Sequence, residues 1–205
     1  MKWDGKIPFK HTEKLSIKRS DDFDEDCLAP QWQWNYQPRK DYFSLTERPG
    51  WLRLKAYRPL ETNNLLKAGN TLTQRTFRKQ NNDVTIKMDI SNMQDGQKNG
   101  LCHFSSQHSA IGIVKEEDAC YLEYRKNGNI TKGIQIHSEF VWFRTEWGMD
   151  GKSQYYYSLD GDNFLPFGEK YQLTWGNYRG DRIGIYCFND KKETGSVDVD
   201  YCHYR

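Results

Sequence analysis

The feature that most limits how this chain can fold is a two-residue rhythm of apolar side chains. Leu52, Leu54 and Ala56 alternate with Trp51, Arg53 and Lys55. Val84, Ile86, Met88 and Ile90 alternate with Thr85, Lys87 and Asp89, and Val141, Phe143 and Thr145 with Trp142, Arg144 and Glu146. Ile183, Ile185 and Cys187 sit opposite Gly184, Tyr186 and Phe188. Successive side chains of a strand point to opposite faces, so each run predicts a strand with one face on a core and one toward solvent, as in antiparallel sheets. Between the runs stand turn signals: Pro49-Gly50, Asn127-Gly128, Asp150-Gly151 and Asp160-Gly161. Such pairs tolerate the positive φ that tight hairpins demand. No amphipathic stretch exceeds about two helical turns, and no internal repeat points to a propeller or solenoid. A chain of 205 residues is long enough for one large β domain that buries roughly 70% of its unfolded surface. The expected fold is all-β: a two-sheet antiparallel β-sandwich of about a dozen strands in a jelly-roll arrangement.

Residues 1–20 are polar and irregular and read as an interdomain linker or N-terminal arm, with the sandwich over 21–205. Lys and Arg total 30 against 28 Asp and Glu, a formal charge of +2. The charges are interspersed, without the basic stripe that phosphate neutralisation requires, so nucleic acid is not an expected partner. No run approaches the ~18 apolar residues of a membrane span, and no apolar leader is visible. The compartment stays open. Five cysteines with no CxxC pair argue against a zinc site and a fully paired framework. Most read as small buried hydrophobes; pairing of Cys102 with Cys120, or Cys187 with Cys202, is left open.

Candidate chemistry is sparse. Hydrolysis of a glycosidic bond uses two carboxylates that reach one bond, and the nearest pair in one strand is Asp198 and Asp200. An outer-face or ion-binding role is the preferred reading of both. The acidic run Asp21, Asp22, Asp24, Glu25 and Asp26 resembles a calcium loop in composition only, without the Gly and Glu spacing of an EF-hand. A solvated turn is the default; a structural calcium held by Asp22, Asp24 and Asp200 is the weaker alternative. No other cofactor is required. His103 and His108 flank Ser105-Ser106, but no G-x-S-x-G elbow exists, so a polar binding loop is the better reading. Aromatic residues make up 15% of the chain. Most must be core, while Trp142, Trp147, Tyr156 and Trp175 are candidates for sugar-stacking platforms.

Several segments together are distinctive: DDFDEDCLAPQWQWNYQP, YFSLTERPGWLRLKA, NTLTQRTF, MQDGQKNGLCHF, YYSLDGDNFLPFG, WGNYRGDRIGIYCFN and GSVDVDYCHYR. In this order they resemble the C-terminal concanavalin-A-like domain of family 43 glycoside hydrolases, the β-xylosidase and arabinofuranosidase group, over nearly all of 21–205. The resemblance implies a lectin-like sandwich that follows a five-bladed β-propeller, the partner domain that carries the catalytic carboxylates. A propeller needs roughly 300 residues, so this chain is expected to be a non-catalytic accessory domain of an enzyme acting on xylan- or arabinoxylan-type carbohydrate. The kinship favours a bacterial periplasmic or extracellular setting, with a cytoplasmic one still open. In that family a loop of the sandwich can wall the substrate pocket. By position the segment from Cys102 to Ile111 is the choice, with His103, Phe104, Gln107 and His108 as its contact residues; an ordinary exposed hairpin is the alternative. Gln74 and Arg75 are a second choice, or else a buried structural pair. The close DYCHYR departs from the related pattern, so Cys202 and His203 imply repacking of the last strand. Two rival functions remain: an independent carbohydrate-binding module, and a small hydrolase acting through Asp198 and Asp200.

Overall fold

The computed structural model describes Gly5 and residues 18–174 and 180–205. Along the chain these form fifteen strands. The first seven are β1 (Gln33–Trp34), β2 (Phe43–Ser44), β3 (Leu52–Lys55), β4 (Thr71–Arg75), β5 (Asn82–Asp89), β6 (Gln97–Phe104) and β7 (His108–Glu116). Then come β8 (Ala119–Lys126), β9 (Asn129–Ile136), β10 (Phe140–Trp147), β11 (Lys152–Ser158), β12 (Leu165–Pro166), β13 (Tyr171–Gln172), β14 (Arg182–Asn189) and β15 (Ser196–Tyr204). Among the described residues the only helical pieces are two 3-10 turns, at Lys40–Tyr42 and Leu65–Lys67.

The strands make two sheets in which every pairing is antiparallel. One runs β1-β4-β14-β6-β7-β8-β9; the other runs β12-β11-β10-β5-β15-β3-β2, with β13 also paired to β11. Their facing sides hold one core, to which β3 gives Leu52 and Leu54, β5 gives Val84, Ile86 and Met88, and β10 gives Val141 and Phe143, all fully buried. These are the inward positions that the alternation predicts. Each such side chain contributes about 1.5–3 kcal/mol through burial alone. The Asn127-Gly128 signal also forms a turn: with φ of 48° and 91°, the two residues join β8 to β9 where Lys126 faces Asn129. Both angles are positive, as a two-residue hairpin with right-handed strand twist requires.

Strand β14 departs from the expectation. All eight of its residues are buried, not only Ile183, Ile185 and Cys187. It lies inside its sheet, and its outward Tyr186 and Phe188 are covered by a second apolar cluster. Leu65 and Ala68 in the 3-10 turn segment, Cys102, Phe104 and Ala110 complete that cluster. A loop, not water, meets the outer face.

The two conceivable disulfides do not form; all five cysteines are free. Cys102 pairs with Ala110 at one end of its sheet, whereas Cys120 pairs with Lys115 toward the other. Cys187 and Cys202 belong to different sheets and have different partners: Gln97 donates to the first sulfur at 3.4 Å, Gln74 to the second at 3.9 Å. Burial pushes the Cys187 thiol up to about 12, so it behaves as a hydrophobe.

Candidate functional site

The turn between β6 and β7 lies at one end of the sandwich, and only three residues form it. Its Ser105 N–H donates to the Gln107 carbonyl (2.9 Å), and the Ser105 hydroxyl bonds to that of Thr174 (2.9 Å). The neighbouring hairpin braces it, with Asn127 donating to the Gln107 side-chain oxygen at 3.3 Å. Ser106 and Gln107 are exposed.

The other predicted loop residues are not on the loop. His103 is fully buried within β6, where Nε2 bonds to Thr145 Oγ1 at 2.9 Å and the ring meets Trp147 edge-on at 5.2 Å. Burial lowers its pKa to about 3, so it stays neutral. Strand parity puts Phe104 on the opposite face, in the cluster with Tyr186 and Phe188, rather than on a pocket wall. His108 opens β7 and is also buried, and burial together with the charge of Arg125 lowers it to about 4. Of the four residues expected on the loop, only Gln107 offers its side chain to solvent.

Gln74 and Arg75 are adjacent on β4 and therefore face opposite ways. Gln74 is buried and donates to the Arg19 carbonyl at 3.0 Å, while Arg75 is exposed. They do not act as a pair. Trp147 is a core residue whose Nε1 donates to the Phe77 carbonyl at 2.9 Å. Trp142 is half-buried beside Lys87 and Gly161, Tyr156 is half-buried, and Trp175 lies outside the described residues.

The expected calcium set does not assemble. Asp22 accepts from His203 Nε2 at 2.6 Å, Asp200 from Lys87 Nζ at 2.8 Å, and Asp24 is exposed. Among the described residues no three His, Cys, Asp or Glu side chains gather around a point that could hold a metal ion. Asp21, the one buried acid of the run, accepts from Trp32 Nε1 at 2.7 Å and from the Phe23 N–H at 3.1 Å. It closes a turn.

Asp198 and Asp200 stand on the outer face of the eight-stranded sheet, each held by cations. Asp198 is nearly fully buried, with Arg53 bound in a fork (2.7 and 2.8 Å) and Arg48 at 2.9 Å. Arg48 also reaches Asp89 at 2.6 Å. Asp200 occupies the bulge between Val199 and Tyr201. A carboxylate taken up by a bidentate guanidinium has its lone pairs committed to structure.

The segment before the sandwich passes along this same end. Asp21 exchanges backbone hydrogen bonds with Cys202 (2.9 and 2.8 Å), and Ser20 Oγ accepts from the Tyr204 N–H at 2.9 Å. The Arg19 guanidinium lies over the rings of Phe77 (4.5 Å) and Tyr204 (5.6 Å). Tyr204 packs on Trp147, which packs on His103 at the end of β6. Followed back from Asp21 to Arg19, the chain runs toward the end that carries residues 105–107.

A two-sheet antiparallel sandwich of this strand order is of the concanavalin A-like kind. The chain belongs to the family of β-xylosidase C-terminal concanavalin A-like domains, which its residues 20–205 match. A β-xylosidase of Formosa agariphila is 35% identical, over 91% of this chain and 35% of its own length. A bifunctional GH43-CE protein of Bacteroides eggerthii superposes with a TM-score of 0.82 at 29% identity, over 91% of this chain and 25% of that one. A GH43 glycoside hydrolase engineered to display endo-xylanase and exo-arabinofuranosidase activity superposes with a TM-score of 0.83 at 23% identity, over 96% and 42%, a likeness of fold. The chain spans about a third of the length of the curated relatives it matches. It is the C-terminal sandwich of proteins of the β-xylosidase type.

Proposed function

We propose that this domain serves as the accessory half of a family 43 glycoside hydrolase, packed on a β-propeller catalytic domain that acts on xylan- or arabinoxylan-type carbohydrate. The observation that carries the reading is the shared end: residues 19–21 and the 105–107 turn lie at the same end of the sandwich. An upstream domain joined through that segment sits beside the turn. The exposed Gln107, braced by Asn127, is then the side chain best placed to hydrogen-bond a sugar hydroxyl at the rim of a pocket built mainly by the propeller.

The test joins this chain to the catalytic domain encoded upstream and measures steady-state hydrolysis of aryl xyloside and aryl arabinofuranoside. Gln107→Ala should raise KM by about threefold to tenfold, the loss of one hydrogen bond to substrate. Lys191→Ala, at the far end of the sandwich, should leave both constants unchanged. Equal kinetics in the two variants would remove the turn from the pocket.

A further inference from the structure

The same end of the sandwich carries a second feature, a groove of about 680 Å³ on the outer face of the eight-stranded sheet, where β5, β10 and β11 run side by side. Register sets three polar side chains in one row across it: Glu146 stands opposite Asp83 on one side and opposite Gln154 on the other. Tyr156, in the next row of that face opposite Arg144, is half-buried. Carboxylates directly opposed across a strand pair repel, which disfavours folding. Asp89, Asp198 and Asp200 on this face each have a cation, whereas among the described residues neither Asp83 nor Glu146 forms an ion pair.

Asn82 lines the groove as well and is 4% exposed. Its Nδ2 donates to the carbonyls of Lys79 (3.1 Å) and Trp147 (3.3 Å), but its buried Oδ1 has no partner. That oxygen lies on the core side of β5, in line with Val84, Ile86 and Met88, so it backs the groove and the polar row of Asp83, Glu146 and Gln154 forms its open surface. Asp83, Glu146 and Asp150 bring carboxylate acceptors to the lining, Lys152, Lys170 and the Gln154 amide bring donors, and the phenol ring of Tyr156 adds a flat apolar surface. A partner that fits brings several hydroxyl donors and an apolar ring face. Vicinal hydroxyls bridge the two oxygens of a carboxylate, and a sugar ring packs on an aromatic one. A metal ion fits less well, since no three-ligand cluster forms among the described residues. The size is that of a small-ligand site.

We propose that this groove is a binding site for a neutral oligosaccharide, with Asp83, Glu146 and Gln154 as hydroxyl acceptors and donors and Tyr156 as the stacking ring. The site belongs to this chain alone and does not depend on a linked catalytic domain. The test titrates the 205-residue chain, in buffer with EDTA, with xylohexaose and separately with cellohexaose, followed by amide NMR shifts. At least one sugar should give saturable shifts confined to β5, β10 and β11, with affinity reduced about tenfold, or 1.4 kcal/mol, in Glu146→Gln and in Tyr156→Ala. Lys191→Ala should bind as the parent does. If the Tyr156 variant loses its folded spectrum, the half-exposed Gln154→Ala takes its place. No saturable response to either sugar at about 10 mM, or undiminished binding in the groove variants, overturns the proposal. So does a response that appears only with calcium in place of EDTA, which would reassign the groove to a cation.

Discussion

Asn189 and Asn82 lie at opposite ends of the sandwich, both buried, and the protein uses them differently. Asn189 commits its whole amide: Nδ2 donates to the carbonyls of Asp95 (3.0 Å) and Thr194 (3.3 Å), and Oδ1 accepts from the N–H groups of Lys191 (2.8 Å) and Lys192 (3.0 Å). Around it the connections are locked. Gln97 Oε1 accepts from the Gln94 N–H at 3.0 Å, and Gly195, at φ 88°, has that same oxygen 2.0 Å from where a Cβ would stand. Asn82, at the other end, only donates, and its buried oxygen has no partner. Asn189 holds backbone in place at the first end, while nearby Asn99 leaves its own Oδ1 without a partner. At the second end the outward Asp83 and Glu146 form no ion pair among the described residues, and unconsumed polar groups on an open face are what a recognition surface requires.

Acid should separate the ends most sharply. His103 and His108, both beside the 105–107 turn, have folded-state pKa values lowered to about 3 and about 4, by burial first and, for His108, by Arg125 as well. An unfolded histidine titrates near 6.5. Above that pH neither residue affects stability. As the pH falls below it, the unfolded chain takes up protons that the folded one refuses, and stability is lost until the folded pKa is reached. Between pH 6.5 and 5 we expect a loss of about 2 kcal/mol for each histidine, from about 1.4 kcal/mol per pH unit. Urea unfolding at stepped pH measures it, and His108→Gln should remove about half of the slope. An unaltered slope in that variant would detach acid sensitivity from this end.

The asparagines themselves come next. Asn189→Ala strips partners from four backbone groups and should destabilise by about 3 kcal/mol, whereas Asn82→Ala, which also removes an unpaired acceptor, should cost about 1 kcal/mol. Matched denaturant melts decide this, and equal losses would erase the distinction between the ends. The smallest effect is expected at Glu146→Gln. Relief of its opposition to Asp83 is worth about 0.2–1 kcal/mol, so the variant should be neutral or slightly more stable. A loss beyond about 1 kcal/mol would turn the Asp83, Glu146 and Gln154 row into a structural feature.

Much of the architecture was legible because strand alternation and turn chemistry are local. The inward positions of β3, β5 and β10 follow from period two alone, and the β8–β9 hairpin follows from Asn127-Gly128. Where local pattern misleads, the deciding contact comes from far along the chain. Phe104 and His103 are neighbours in sequence, and position along the chain alone assigns both to a loop. They are instead the last two residues of a strand, one clustered with Leu65 and Ala68 and the other bonded to Thr145 in the opposite sheet. The Asp22, Asp24 and Asp200 set failed for a related reason: composition brought them together, but His203 and Lys87 claimed two of them.

The recognition row shows the same division most clearly. That Asp83, Glu146 and Gln154 point outward is written in the alternation of each strand, because parity along a strand depends only on neighbouring residues. That the three stand in one row is not, because β5, β10 and β11 could pair in another order or register without any change in those local patterns. The sequence alone determined a two-faced all-β chain and its family. Which outer faces stay wet, and which side chains meet there, was decided only when long-range pairing and loop packing selected one arrangement of the sheets.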